Sequence, residues 1–113
     1  MHYEYTVITV NPPGSGGISA AVLLRTVSDD RLRARVRDDI NLVLDRDSAE
    51  VVTGNVNLFI ERADEVGGTV LLAELEDFLS NFLTIGPRSA IVSAGDPDMI
   101  LGTLISEHGS RRA

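Results

Sequence analysis

The chain has 113 residues, 43 % of them apolar and only 4 % aromatic, with seventeen acids against ten arginines, no lysine, no cysteine and a net charge of −7. That length supports one core, so a single domain over residues 1–109 is expected, with a frayed tail at 110–113. The acid excess argues against binding nucleic acid by phosphate neutralisation. The lack of cysteine removes disulfides, thiolate metal sites and thiol nucleophiles, and no apolar run approaches the roughly 18 residues a membrane span needs. The first ten residues carry Glu4 and no basic stretch, unlike a secretory leader, so a soluble, cytoplasmic protein is expected.

Residues 3 to 10 are β-branched and aromatic and predict a strand. A loop rich in proline and glycine follows, and residues 18 to 27 are apolar enough to be buried as either strand or helix. From 31 to 46 the period is two: Leu32, Ala34, Val36, Ile40, Leu42 and Leu44 alternate with Arg31, Arg33, Arg35, Arg37, Asn41, Val43 and Asp45. Two strands turning near Asp38 and Asp39 are preferred over a helix capped by Ser28, which would leave Leu42 on the polar side. Gly54-Asn55 between alternating segments then predicts a hairpin, with Val51 opposite Leu58 and Ala49 opposite Ile60.

Beyond Gly67-Gly68 the period lengthens. Leu71, Leu72, Leu75, Phe78, Leu79, Phe82 and Leu83 recur every three or four residues and predict an amphipathic helix from Thr69 to the stop at Gly86-Pro87. Residues 89 to 93 predict a short buried strand. Asp96-Pro97 predicts the start of a last helix ending near Gly109, with a strand over 99 to 106 as the alternative. The expected class is α+β: a mainly antiparallel sheet with two helices from the C-terminal half packed on one face.

Residues 11 to 19, Asn-Pro-Pro-Gly-Ser-Gly-Gly-Ile-Ser, resemble the phosphate-binding loop of ATPases. Gly17 stands where that loop has its lysine, and Ile18 where it has the magnesium-holding hydroxyl. Gly14, Ser15, Gly16 and Gly17 are therefore candidate ligand-binding residues only through their backbone N–H groups, with Arg25 or the arginine row in support. Arg31, Arg33, Arg35 and Arg37 would project from one strand face roughly 6.6 Å apart. A neighbouring strand could half-neutralise them by pairing Arg33 with Asp45 and Arg31 with Asp47. Val43, Val52 and Phe59 would share that outward face and, with the arginines, mark an interaction surface.

Ser15 lacks the first glycine of a G-x-S-x-G nucleophile elbow, since Pro13 stands there, and His108 with Asp96 would complete a triad only by a coincidence of folding. Asp45-Arg46-Asp47 opens like a calcium loop, but Glu50 and Val56 occupy the positions that need glycine and acid. No catalytic residue, metal or cofactor is assigned. The expected role is a small non-enzymatic interaction module, of inhibitor, immunity or adaptor type, binding another protein or a copy of itself. The alternative is a small anion-binding domain or enzyme that uses the glycine loop.

Overall fold

The computed structural model describes residues 1–12, 16–77 and 82–109, with the side chains of 108 and 109 excepted. β1 (His2–Val10), β2 (Ile18–Thr26) and β3 (Arg31–Val36) form an antiparallel meander. α1 (Ile40–Val43), α2 (Arg46–Val66) and α3 (Gly68–Glu76) follow. β4 (Leu83–Ile85) and β5 (Ser89–Val92) then add antiparallel to the free side of β1, and α4 (Pro97–Gly109) ends the described chain. The protein is α+β, with a five-stranded antiparallel sheet ordered β3-β2-β1-β4 and β5 beside β4 along β1.

β4 and β5 are two pieces of one interrupted edge. Thr9 lies opposite Thr84 and Tyr3 opposite Ile91, a slip of one residue between the two pieces. Gly86 and Pro87 sit in the break, where Gly86 N–H donates to the Val7 carbonyl (3.0 Å) and the buried Thr6 hydroxyl donates to the Gly86 carbonyl (2.6 Å). Proline costs no ladder bond at such a break. Gly86-Pro87 thus interrupts a strand instead of stopping a helix.

The sheet is covered on both faces. On one, Ile8, Val10, Ala21, Leu23 and Leu32 pack with Ile40 of α1, with Ala49, Val52, Val56, Phe59 and Ala63 of α2, and with Leu71, Leu72 and Leu75 of α3. On the other, Tyr3, Val22 and Leu24 pack with Ile100, Leu101, Leu104 and Ile105 of α4. α3 and α4, the two helices legible in the C-terminal half, therefore lie on opposite faces rather than on one. β2 is sandwiched between layers: every residue from Ala20 to Leu24 is fully buried. A strand buried on both sides reads as a continuous apolar run, which is why residues 18 to 27 show no alternation.

Three other expectations are corrected. The second strand after the Asp38-Asp39 reversal is absent: Ile40 opens α1, and Asp45 caps α2 by accepting from Ser48 N–H at 2.7 Å. The hairpin at Gly54-Asn55 is also absent, because residues 46 to 66 form one helix of 21 residues. Its buried positions, Ala49, Val52, Val56, Phe59 and Ala63, step by three and four, the period of a helix face. The helix begun at Gly68 ends at Glu76, and Leu83 belongs to β4; Phe78 and Leu79 lie outside the described residues. The strand at 89 to 92 is present but mostly exposed, since it is an edge, and only Ile91 packs inward. The last helix forms as expected.

α2 and α3 join at a turn that the β2–β3 connection holds. Gly67 has φ +90, and Asp30 has φ 58. A side chain on Gly67 would collide with the Asp30 carboxylate, and one on Gly68 would come within 2.9 Å of the Asp30 carbonyl. Asp30 in turn caps α3 from outside the helix: its carboxylate accepts from Thr69 N–H (2.9 Å) and the Thr69 hydroxyl (2.6 Å), and its carbonyl accepts from Gly68 N–H (2.8 Å). The paired acids Asp29-Asp30 thus form a turn and a cap, with the Asp29 carboxylate accepting from Arg31 N–H at 3.0 Å.

Candidate interaction surfaces

Among the described residues, a run of linked charges that crosses several elements starts at Arg25. Its guanidinium, 12 % exposed, donates to Glu4 (2.8 Å from Nε) and Asp30 (3.0 Å), and Arg88 joins the same group through Glu76 and Glu4. Burial works against the Arg25 charge, but hydrogen bonds and attraction from Glu4 and Asp30 more than offset it and raise its pKa. The Thr69 hydroxyl and N–H, with Arg25, hold the Asp30 carboxyl below the usual carboxylate range. The Arg25 guanidinium is engaged by Glu4 and Asp30, and the cluster clamps α3 to the sheet.

The glycine loop lies only partly within the described residues. It joins β1 to β2, so the element that follows it in the chain is a strand and not a helix. Gly14 and Ser15 lie outside the described residues. Gly16 is exposed. Gly17 is needed for close approach, since a Cβ there would come within 2.9 Å of the Thr9 methyl and 3.2 Å of the Asn11 side-chain Oδ1. Arg25 sits at the opposite end of β2, roughly 23 Å away at the rise of an extended strand. Arg37, which does reach this end, is held by both carboxylate oxygens of Asp39 (2.5 and 2.8 Å) and the Ser19 carbonyl (3.2 Å).

The arginine row is real over β3. Leu32, Ala34 and Val36 pack inward toward α2, while Arg31, Arg33 and Arg35 project to the α4 face, opposite Thr26, Leu24 and Val22. Arg33 donates to the Thr26 hydroxyl (3.2 Å), and Arg35 reaches Asp38 (3.4 Å). β3 is an edge strand, so pairing of Arg33 with Asp45 or Arg31 with Asp47 does not occur. Arg37 lies beyond the strand end, tied to Asp39. The apolar partners proposed for that face are not there: Val52 and Phe59 are buried in α2 and Val43 packs against the same core.

The unexplained surface lies instead on the outer side of α2. Projected at helical spacing, Asp47, Val51, Gly54, Leu58, Glu61 and Glu65 form a stripe opposite the buried one, with Glu50 beside it. Val51 is 45 % and Leu58 60 % exposed. Gly54 lies between them in mid-helix, and a Cβ there would meet nothing within 4 Å. Such a glycine costs a helix about 1 kcal/mol relative to alanine, and no intramolecular contact here demands it. A shallow groove of about 300 Å³ runs beside the stripe, between α1 and α2, lined by Ile40, Asn41, Ala49, Glu50, Thr53 and Asn57 with Gly54 in its wall.

Charge is segregated onto the same layer. Residues 45–77 hold nine acids and two arginines, which accounts for the whole net charge of −7; the rest of the chain carries eight of each sign. Arg46 pairs with Glu50, and Arg62 with Glu65 and Glu74, all at the surface. Ser48 N–H and hydroxyl hold the Asp45 carboxyl low, and Arg62 does the same for Glu74. Asp47, Glu61 and Asp64 have no cationic partner among the described residues. The sequence signal for this site was present: a mid-helical glycine flanked at three and four residues by Val51 and Leu58. In the sequence alone, Gly54-Asn55 carries the chemistry of a hairpin turn.

Among the described residues no three His, Asp or Glu side chains converge as a metal site, and no helix is long and apolar enough to cross a membrane. Asp96 caps α4 by accepting from Met99 N–H (2.9 Å). No known protein family, curated protein or solved structure matches the chain.

Proposed function

We propose that the protein is a non-enzymatic interaction module, of inhibitor, immunity or adaptor type, whose outer α2 surface binds a basic, helical segment of a partner protein. The observation that carries this reading is Gly54: a glycine in an exposed helix interior, at the centre of an apolar stripe, with open space where its side chain would be. Small residues at such positions let a second helix approach closely, and Val51 and Leu58 supply the apolar contact on either side. The rim of Asp47, Glu50, Glu61 and Glu65 selects for Lys and Arg on the incoming segment and steers its encounter. Nothing in this mechanism requires a cofactor, and a reducing, cytoplasmic setting suits a chain without cysteine.

The test is affinity capture from host lysate with three forms: the natural chain, Gly54→Arg, and a triple charge reversal at Glu50, Glu61 and Glu65. The natural chain is expected to retain a partner at low salt and release it at high salt, and both variants to lose it while remaining folded by circular dichroism. Identical retention by all three forms would refute α2 as the binding surface.

A further inference from the structure

We infer that the open edge of β5 is a self-association surface, where a second copy of this chain adds antiparallel across a two-fold axis. Ser93 N–H donates to the Met1 carbonyl (3.0 Å), and Ile91 and Ser89 lie opposite Tyr3 and Tyr5. Alternation along an antiparallel ladder then directs the backbone groups of Ser89 and Ile91 at β1, and those of Ala90 and Val92 away from the sheet. Among the described residues no strand pairs with that outer row. One register satisfies all four outward groups at once: Ala90 of each copy opposite Val92 of the other, with Ile91 facing Ile91 on the axis.

The side chains match in the same register. Val92, 71 % exposed, would lie against Ala90 of the second copy on the α3 side of the sheet. On the α4 side the two Ile91 side chains meet beside Met99, itself 57 % exposed, which shares with Ile91 a trough of about 390 Å³ under α4. Residues 89–92 carry no charge, so the two-fold pairing brings no like charges together within the ladder. The β3 edge cannot do this. Arg31, Arg33 and Arg35 would face their own copies there, which is how natural sheets block an edge. A two-fold contact of this kind is closed, so it stops at a dimer.

This surface is independent of the α2 site but multiplies it. The axis stands normal to the joined sheet, so both acidic α2 layers emerge on one side. A partner with two basic segments would gain affinity from simultaneous engagement.

The natural chain has no cysteine, so single substitutions report geometry directly. Ile91→Cys is expected to form a disulfide-linked dimer rapidly under mild oxidation, because facing residues at a non-hydrogen-bonded position fall within bridging distance. Arg33→Cys on the other edge should not. By light scattering the natural chain should show twice the monomer mass, and Val92→Lys, at a position exposed in the monomer, should halve it without loss of fold. A natural chain that stays monomeric at its highest soluble concentration overturns the proposal. So does a dimer that survives Val92→Lys or cross-links through Arg33→Cys as readily as through Ile91→Cys. None of these readings depends on whether α2 binds a partner.

Discussion

The two faces of the sheet are built differently. One is roofed by α1, α2 and α3, contiguous in the chain, with the β2–β3 turn gripping the α2–α3 junction through Asp30. Among the described residues the other is roofed by α4 alone, whose four buried residues cover Tyr3, Val22 and Leu24 and leave a trough over β1 and β5. On the well-covered face the exposed apolar residues Val51 and Leu58 lie on the outer side of α2. The thinly covered face leaves apolar floor near an open edge, where a second sheet can join. The same strands, especially β2, carry both layers.

The sharpest way to break the comparison is to empty each core in turn. Phe59→Ala on the α2 face should cost about 3–5 kcal/mol and Leu104→Ala on the α4 face about 2–5 kcal/mol, both read by denaturant unfolding. Hydrogen exchange separates them further. α4 amides should exchange before those of α2, because a single helix with one apolar face can open while the α2–sheet core stays closed. Equal protection of both helices would mean that the faces unfold as one unit.

Next in size is the clamp that only one face has. Gly67→Ala meets both a positive φ and the Asp30 carboxylate, and should destabilise by more than about 1 kcal/mol in the same assay. Gly68→Ala, which would press on the Asp30 carbonyl and the Arg25 stem, should act in the same direction.

Acid should loosen that face first. Asp30, Asp45 and Glu74 have folded pKa values below their ordinary ones, through Thr69, Ser48 and Arg62 respectively. A lowered folded pKa means stabilisation that is complete above the unfolded value and disappears as pH falls through the folded value. Stability should therefore hold near neutrality and decline as pH drops below about 4, where free carboxylates begin to protonate. Asp30→Asn should flatten that decline, measured as the denaturation midpoint against pH.

The smallest expected effects sharpen the comparison at two mid-helix glycines. Gly54→Ala should stabilise the chain by roughly 0.5–1 kcal/mol, since nothing opposes the new methyl group, and yet weaken partner binding. Gly102→Ala in α4 should gain less, because its Cβ would stand 3.2 Å from the Arg35 guanidinium, which must shift. Thermal melts of the pair, run beside the capture assay, separate a residue kept for folding from one kept for binding.

Local chemistry was sufficient for β1, for the inward alternation of Leu32, Ala34 and Val36, for the start of α4 at Asp96-Pro97, and for the α+β class, because each is written in neighbouring residues. α2 was not legible. Val51, Leu58 and half-buried Ile60 blurred its buried stripe of Ala49, Val52, Val56, Phe59 and Ala63 into alternation, and Gly54-Asn55 carries the chemistry of a turn. Only the tertiary structure decided that β2 would be buried on both faces and that α4 would cross to the side opposite α3. The same holds for Asp30, which caps a helix that begins 38 residues later. Those outcomes depend on which apolar surface finds cover after the chain has collapsed, a quantity summed over distant segments and therefore invisible in any short window of sequence.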